Sequence, residues 1–181
     1  MSVIVVVKDG TRCCMACDSQ ASLNGNAAML AAPKIVRSGE LLIGADGTLS
    51  LISFARHVYP VDRPLVGESL ARWVLNVYGP ALRRWLDESK HLETRDGRTD
   101  FPGTALIARA GEFVHLDSAG NAAQLDSNFW AIGSASPEAL GAMWQAERDS
   151  RSPEYTAYSG VQAAIALDPH CGGKITLEWT S

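Results

Sequence analysis

The first hydrophobic block, Val3-Ile4-Val5-Val6-Val7, is β-branched throughout and gives way to Lys8-Asp9-Gly10. A short continuous apolar run closed by Asp-Gly reads as a strand entering a hairpin turn. Residues 12–17 are the returning strand, and Asp18-Ser19-Gln20 and Asn24-Gly25-Asn26 mark a loop. Residues 34–37 and 40–44 form a second short hairpin turning at Ser38-Gly39. Two helices follow. Leu49, Ile52, Ser53 and Arg56, with Leu51, Phe54 and Val58, predict one that ends before Pro60. Leu70, Trp73, Val74, Val77, Ala81, Leu82 and Trp85 recur at helical spacing and predict another, with Gly79-Pro80 set to kink or break it. Burial against a sheet is the default role of such a stripe.

The charged stretch 87–100, ending Asp-Gly-Arg-Thr-Asp, reads as a solvated connection. Strands resume at 104–108, 112–116 and 128–133, with Ser118-Ala119-Gly120-Asn121 as a turn. Pro137 opens a helix through Glu147 with Ser136 as its N-cap, a second helix runs over 154–167, and residues 174–179 close as a strand. Strands and helices come in runs rather than in strict alternation, which predicts a layered α+β fold and not a doubly wound parallel sheet. No glycine-rich phosphate loop opens a helix after a strand, so nucleotide-binding classes lose their support.

A chain of 181 residues with 46% hydrophobic content predicts one globular domain spanning 1–181. The net charge of -4 includes no long basic block, which argues against nucleic acid or an acidic membrane as partner. No apolar run reaches membrane-spanning length, and the first strand is too short and lacks the basic leader of a signal peptide, so a cytoplasmic location is expected. Cys14-x-x-Cys17 has no second such pair or His pair to complete a metal site, and on a strand its two members face opposite ways. Cys13 and Cys171 complete the cysteines; no disulfide, metal or cofactor is expected. His57, His91, His115 and His170 lack ligand spacing and read as surface or loop residues.

Candidate chemistry begins at Ser2. Serine is small, so a methionine aminopeptidase should remove Met1 and expose it. A terminal serine carries a hydroxyl nucleophile and, in its own α-amine, a base whose reference pKa of about 7.7–8.0 suits neutral pH. Asp18 and Lys34 follow at spacings such a nucleophile needs.

Together these features resemble the proteasome β-subunit and HslV peptidase superfamily of N-terminal nucleophile (Ntn) hydrolases. The opening, Ser2 to Gly10 followed by Met15-Ala16-Cys17-Asp18-Ser19-Gln20, is similar to that family's nucleophile, strand, turn and strand ending in Ala-Asp-Ser. Lys34 follows Ser2 by 32 positions, the family's interval. Leu42-Ile43-Gly44-Ala45 resembles the strand whose glycine offers an oxyanion-hole N–H. Ala131-Ile132-Gly133-Ser134 resembles the Ile-Gly-Ser segment beside the active site. Asp168-Pro169-His170-Cys171-Gly172-Gly173 resembles the Asp-x-x-Ser-Gly-Gly buttress, with Cys171 at the serine position. The resemblance touches both ends and the middle of the chain and points to small bacterial proteasome homologues, no propeptide preceding Ser2. It implies a four-layer αββα sandwich and a threonine/serine-type peptidase. Its catalytic set would be Ser2, Asp18, Lys34, Gly44, Ser134, Asp168 and Cys171, in a homo-oligomer of stacked rings that takes peptide or unfolded protein. An unfoldase partner would fit, though nothing identifies one.

The chain also departs from that pattern. Serine replaces the usual threonine, Ser134-Ala135-Ser136 lacks the Gly-Gly that usually follows, and a thiol at 171 is a poorer donor than a hydroxyl. Asp46, two residues past Gly44, would favour basic side chains next to the scissile bond if it faces the substrate wall. Taken singly, Lys34 and Asp18 are ordinary strand-end and turn residues, and Gly44 could serve close strand approach. Three readings therefore stay open: a self-compartmentalising peptidase, an Ntn amidohydrolase of a small amide, and a catalytically weak or inactive barrel of the same fold.

Overall fold

The computed structural model describes residues 2–58, 62–65 and 67–181, so Met1 and Pro60 lie outside the described residues. The N-terminal third is antiparallel: β1 (Val3–Asp9), β2 (Arg12–Cys17), β3 (Gln20–Leu23), β4 (Asn26–Met29), β5 (Ile35–Ser38) and β6 (Leu41–Gly47). Next come α1 (Leu49–Ser53), α2 (Leu70–Trp73) and α3 (Gly79–Glu88). Five strands follow: β7 (Glu93–Arg95), β8 (Arg98–Asp100), β9 (Gly103–Arg109), β10 (Glu112–Leu116) and β11 (Ala122–Gln124). The chain ends with β12 (Phe129–Gly133), α4 (Ser136–Arg148), α5 (Pro153–Leu167) and β13 (Thr176–Trp179).

Two antiparallel sheets organise these elements, one ordered β12-β1-β2-β13 and the other β11-β10-β9-β6-β5. Side chains alternate across a strand, and on β1 both faces are covered. Val3 and Val5 pack with Ala139, Met143, Ala157 and Val161 of α4 and α5. Ile4 and Val6 meet Leu42, Leu106 and Phe113 of the second sheet. That double burial explains why β1 reads as an unbroken apolar run. A third cluster sets Ile43, Ile107 and Val114 against Leu51, Trp73, Tyr78 and Leu82 on the other face of the second sheet. Cys14 faces the first cluster and Cys17 the second, as alternation requires.

Several local expectations change. The segment 18–26 is a hairpin rather than a loop, with Asn24 and Gly25 both at positive φ as its two-residue turn demands. The charged stretch likewise holds the β7–β8 hairpin, turned at Asp96-Gly97. Gly79-Pro80 does not end its helix. A π-helical turn, Val74–Tyr78, precedes it, and the backbone stays right-handed through Gly79. Proline offers no N–H and crowds the carbonyl four residues back, and the wider π turn is a recognised accommodation of such a local break in the hydrogen-bond ladder. Ser136 is the first helical residue of α4; the cap is Ala135, without a side-chain bond. No helix among the described residues is long and apolar enough to cross a membrane.

His115 lies on β10, half-buried, rather than on the surface or a loop. Its Nε2 and the Trp130 Nε1 are both buried without a hydrogen-bond partner among the described residues, and the two rings lie 6.4 Å apart. Burial holds the His115 pKa below its ordinary 6.5, with Asp117 opposing. The unfolded chain therefore takes up the proton first, and stability falls as pH drops below about 6.5. His115→Phe removes a buried, unpartnered ring nitrogen and is expected to gain about 1 kcal/mol. Urea unfolding at pH 7.5 and 5.5 checks this: the variant should lose less stability between the two than the wild type.

Candidate active site

Ser2 leads directly into β1 and is 5% exposed. Its neighbour Val3 pairs with Gly133 of β12, and β1 pairs on its other side with β2, whose end delivers Asp18. Asp18 is fully buried, and its carboxylate is saturated. Oδ1 accepts from the Val3 amide at 3.2 Å and from Lys34 Nζ at 2.6 Å. Oδ2 accepts from the amides of Gln20 and Gly172, each at 3.1 Å. Lys34, just before β5, is itself 3% exposed. A buried carboxylate is tolerated when a cation and several N–H donors replace its water, and here all four are present.

Ser2 and Lys34 open onto one pocket of about 510 Å³. Its walls are Ala21, Ser22, Leu23 and Asn24 from β3 and its turn on one side, and Ala45, Gly47, Thr48, Leu49 and Ile52 from β6 and α1 on the other. Gly44 is not part of this lining. A Cβ there would come within 2.7 Å of Ile4 Cγ2 and 3.0 Å of Met15 Cε, so its missing side chain serves the contact between sheets. The glycine of β6 that lines the pocket is Gly47, at φ +103. Asp46 does not line the pocket either. Strand alternation puts it on the side of Leu42 and Gly44, and its Oδ1 is buried without a partner among the described residues.

Ser134, Asp168 and Cys171 form a second group. Ser134 Oγ donates to Asp168 Oδ2 at 2.7 Å, and the His170 amide donates to Oδ1 at 2.8 Å. Ser134 first, then His170, hold the Asp168 carboxyl below its ordinary range. Cys171 Sγ lies 3.9 Å from the same Oδ2, a loose contact beside the serine's. Burial pushes its thiol up to about 12, so it stays protonated and non-nucleophilic.

Backbone joins the two groups. Gly172, next to Cys171, donates to Asp18 and accepts from the amides of Ser19 and Gln20 at 3.1 Å each. Gly133, next to Ser134, sits at φ +106, and a Cβ on it would fall 2.0 Å from the Ser2 carbonyl oxygen. Sequence reasoning missed Ser19, whose Oγ accepts from the Lys174 amide at 2.8 Å, and Gln20, whose Nε2 donates to the Pro169 carbonyl at 2.9 Å. Their signal was the polar Ser-Gln pair directly after Asp18, read as a loop and as part of the opening motif but given no role at the site. Leu49 and Ile52 were read as helix-face residues with no link to the site.

No protein-family model matches the sequence, and no curated protein matches it. Solved structures do. Thiobacillus denitrificans BPH is 26% identical with a TM-score of 0.77, over 100% of this chain and 99% of that one. The same protein in complex with epoxomicin gives 24% identity and 0.76, over 99% of each chain. Eukaryotic HslV from Trypanosoma brucei gives 20% and 0.66, over 98% of each. With both sheets and their helices matched over essentially the whole length in each direction, this chain has the HslV-like proteasome-subunit fold.

Proposed function

We propose that the chain is a proteasome-like N-terminal nucleophile peptidase, a four-layer αββα sandwich working in the cytoplasm as a homo-oligomer of stacked rings on peptide or unfolded-protein substrates. The observation that carries this reading is the pocket in which Ser2 meets Lys34, itself paired with buried Asp18. The three stacked apolar clusters support the four layers, and the HslV-like fold supports the ring assembly.

Once Met1 is gone, Ser2 Oγ attacks the scissile carbonyl. The new C–O bond forms as the carbonyl π pair moves onto oxygen, and the hydroxyl proton passes to the α-amine. The ammonium returns that proton to the departing amine as the C–N bond breaks. The ester left on Ser2 is hydrolysed by water through the same steps. Lys34, a fixed positive charge, favours the alkoxide and lowers the basicity of the amine, and Asp18 keeps the lysine aimed. Gly47 replaces Gly44 as the residue assigned to the oxyanion, because it shares the pocket with Ser2; one such donor is worth about 10²–10³ in rate. Ser134, Asp168 and Cys171 order the surroundings of the amine.

Gly133→Ala should displace Ser2 through its carbonyl. We expect kcat/KM for a peptide amide to fall on the order of 10²-fold, the usual consequence of misplacing a reacting group by about 1 Å. Parallel circular dichroism should show a folded protein. The function itself is tested by comparing the protein beginning at Ser2 with one whose amine is blocked by an N-terminal extension. The free form should hydrolyse peptide amides and the blocked form should not. Equal rates, or none from either, would overturn the reading.

A further inference from the structure

Between α5 and β13 the Cys171 amide donates back to the Asp168 carbonyl at 3.0 Å, closing a turn with Pro169 and His170 as its exposed central residues. Contacts from elsewhere in the chain hold this turn at three points. At its start, Ser134 Oγ donates to the Asp168 carboxylate. Just past its end, Gly172 bonds to Asp18 and to the amides of Ser19 and Gln20. Between them, the Pro169 carbonyl accepts from Gln20 Nε2 at 2.9 Å, the one side-chain bond that reaches it among the described residues. A carbonyl only accepts, so the amide presents its NH₂ to Pro169 and its oxygen towards Gly172. Gln20 is 8% exposed, and a Cβ on Gly172 would fall 2.4 Å from that oxygen, so the glycine leaves the amide its space.

Resting on Ser2 as the nucleophile, we infer that Gln20 is a positioning residue for the proton transfer: through the Pro169 carbonyl, its side chain keeps Asp168 and Ser134 in place around the Ser2 amine. The register that pairs Val3 with Gly133 sets Ser2 opposite Ser134, and Ser134 brings Asp168 to that end of β1. Without the Gln20 amide, the exposed half of the turn has no anchor of its own, and the carboxylate is free to draw back into water. A carboxylate near an ammonium favours the charged form, so its retreat makes the amine less basic as well as less well placed. The other charges of the site stay put. Asp18 and Lys34 hold each other, the Cys171 thiol is protonated, and His170 lies at the exposed apex. Substrate binding is spared, because Gln20 does not line the pocket and its own N–H keeps β3 tied to Asp18 and Gly172.

The test is Gln20→Met, which keeps the length of the side chain and removes its N–H, assayed on a peptide amide across pH. We expect kcat to fall about 10-fold with KM within about twofold, since the lost contact acts on the reacting groups and not on binding. The acidic limb of kcat/KM, which reports the amine of the free protein, should move to lower pH. Gln20→Asn keeps the amide but stops one methylene short of Pro169, and it should show the same split and the same shift; it decides the matter if Gln20→Met does not fold. Unchanged kcat, or a loss confined to KM, with hydrolysis still dependent on Ser2, would overturn this inference and leave the nucleophile standing. A lower kcat with an unmoved acidic limb would make Gln20 merely structural and overturn it as well. No hydrolysis by the wild type, with Ser2→Ala behaving identically, would overturn both.

Discussion

Asp18→Ala should cost the protein about 3–5 kcal/mol of stability. For a chain of 181 residues this lowers the melting temperature by on the order of 10 °C. The size of the effect follows from what the substitution strands. Lys34, 3% exposed, keeps a buried ammonium with its 2.6 Å partner gone. The amides of Val3, Gln20 and Gly172 lose their acceptor at the same stroke. These three come from β1, the start of β3 and the segment leading to β13, so one carboxylate ties together distant parts of the chain. The double variant Asp18→Asn with Lys34→Met should recover a large part of the loss, because removing both charges is far milder than removing one. Thermal unfolding of the three proteins checks it. A loss below about 1 kcal/mol for Asp18→Ala would place this pair among weakly contributing surface pairs.

Ser2→Ala should have the largest effect on turnover. Removing the nucleophile of a covalent mechanism typically costs on the order of 10⁴–10⁶ in rate. Alanine is also small enough for Met1 to be cleaved, so the terminal amine, the lysine and the pocket remain while the hydroxyl alone is lost. The melting temperature should stay close to the wild-type value, since the change deletes one oxygen. Residual hydrolysis within tenfold of wild type would show that another group does the chemistry. Cys171 is a poor candidate for that role, because its buried thiol is pushed up to about 12 and is not a thiolate at neutral pH.

Much of the strand framework was legible because β1 and β2 are buried on both faces and their residues are correspondingly apolar. The short hairpins β3–β4 and β7–β8 were not, since neither carries an apolar alternation; only their Asn-Gly and Asp-Gly turns betray them. The same Asp-Gly signal had been used for β1–β2, where flanking hydrophobic runs made it persuasive. Pro80 misled because helix-breaking rules do not foresee a π turn placed just ahead of it.

Within the site, the intervals separating Ser2, Asp18 and Lys34 could be read along the chain because each residue sits at or near a strand end. Gly44 and Gly47 could not be told apart without knowing which face of β6 meets the other sheet and where the strand stops. The same missing register hid the orientation of Asp46. The links from Gly172 to Asp18, Ser19 and Gln20 are backbone hydrogen bonds between opposite ends of the sequence, and no local pattern announces them.

A peptide epoxyketone reacts with a terminal amine and the hydroxyl of the same residue together, which makes it a probe of the proposed nucleophile. The most direct measurement is therefore the intact mass of the protein after exposure to such a compound, whose two electrophilic centres require both groups on one residue. Met1 should be lost and one inhibitor added per chain, with no adduct on Ser2→Ala. A protein lacking Met1 that gains no mass, or gains it equally in Ser2→Ala, would contradict Ser2 as the nucleophile.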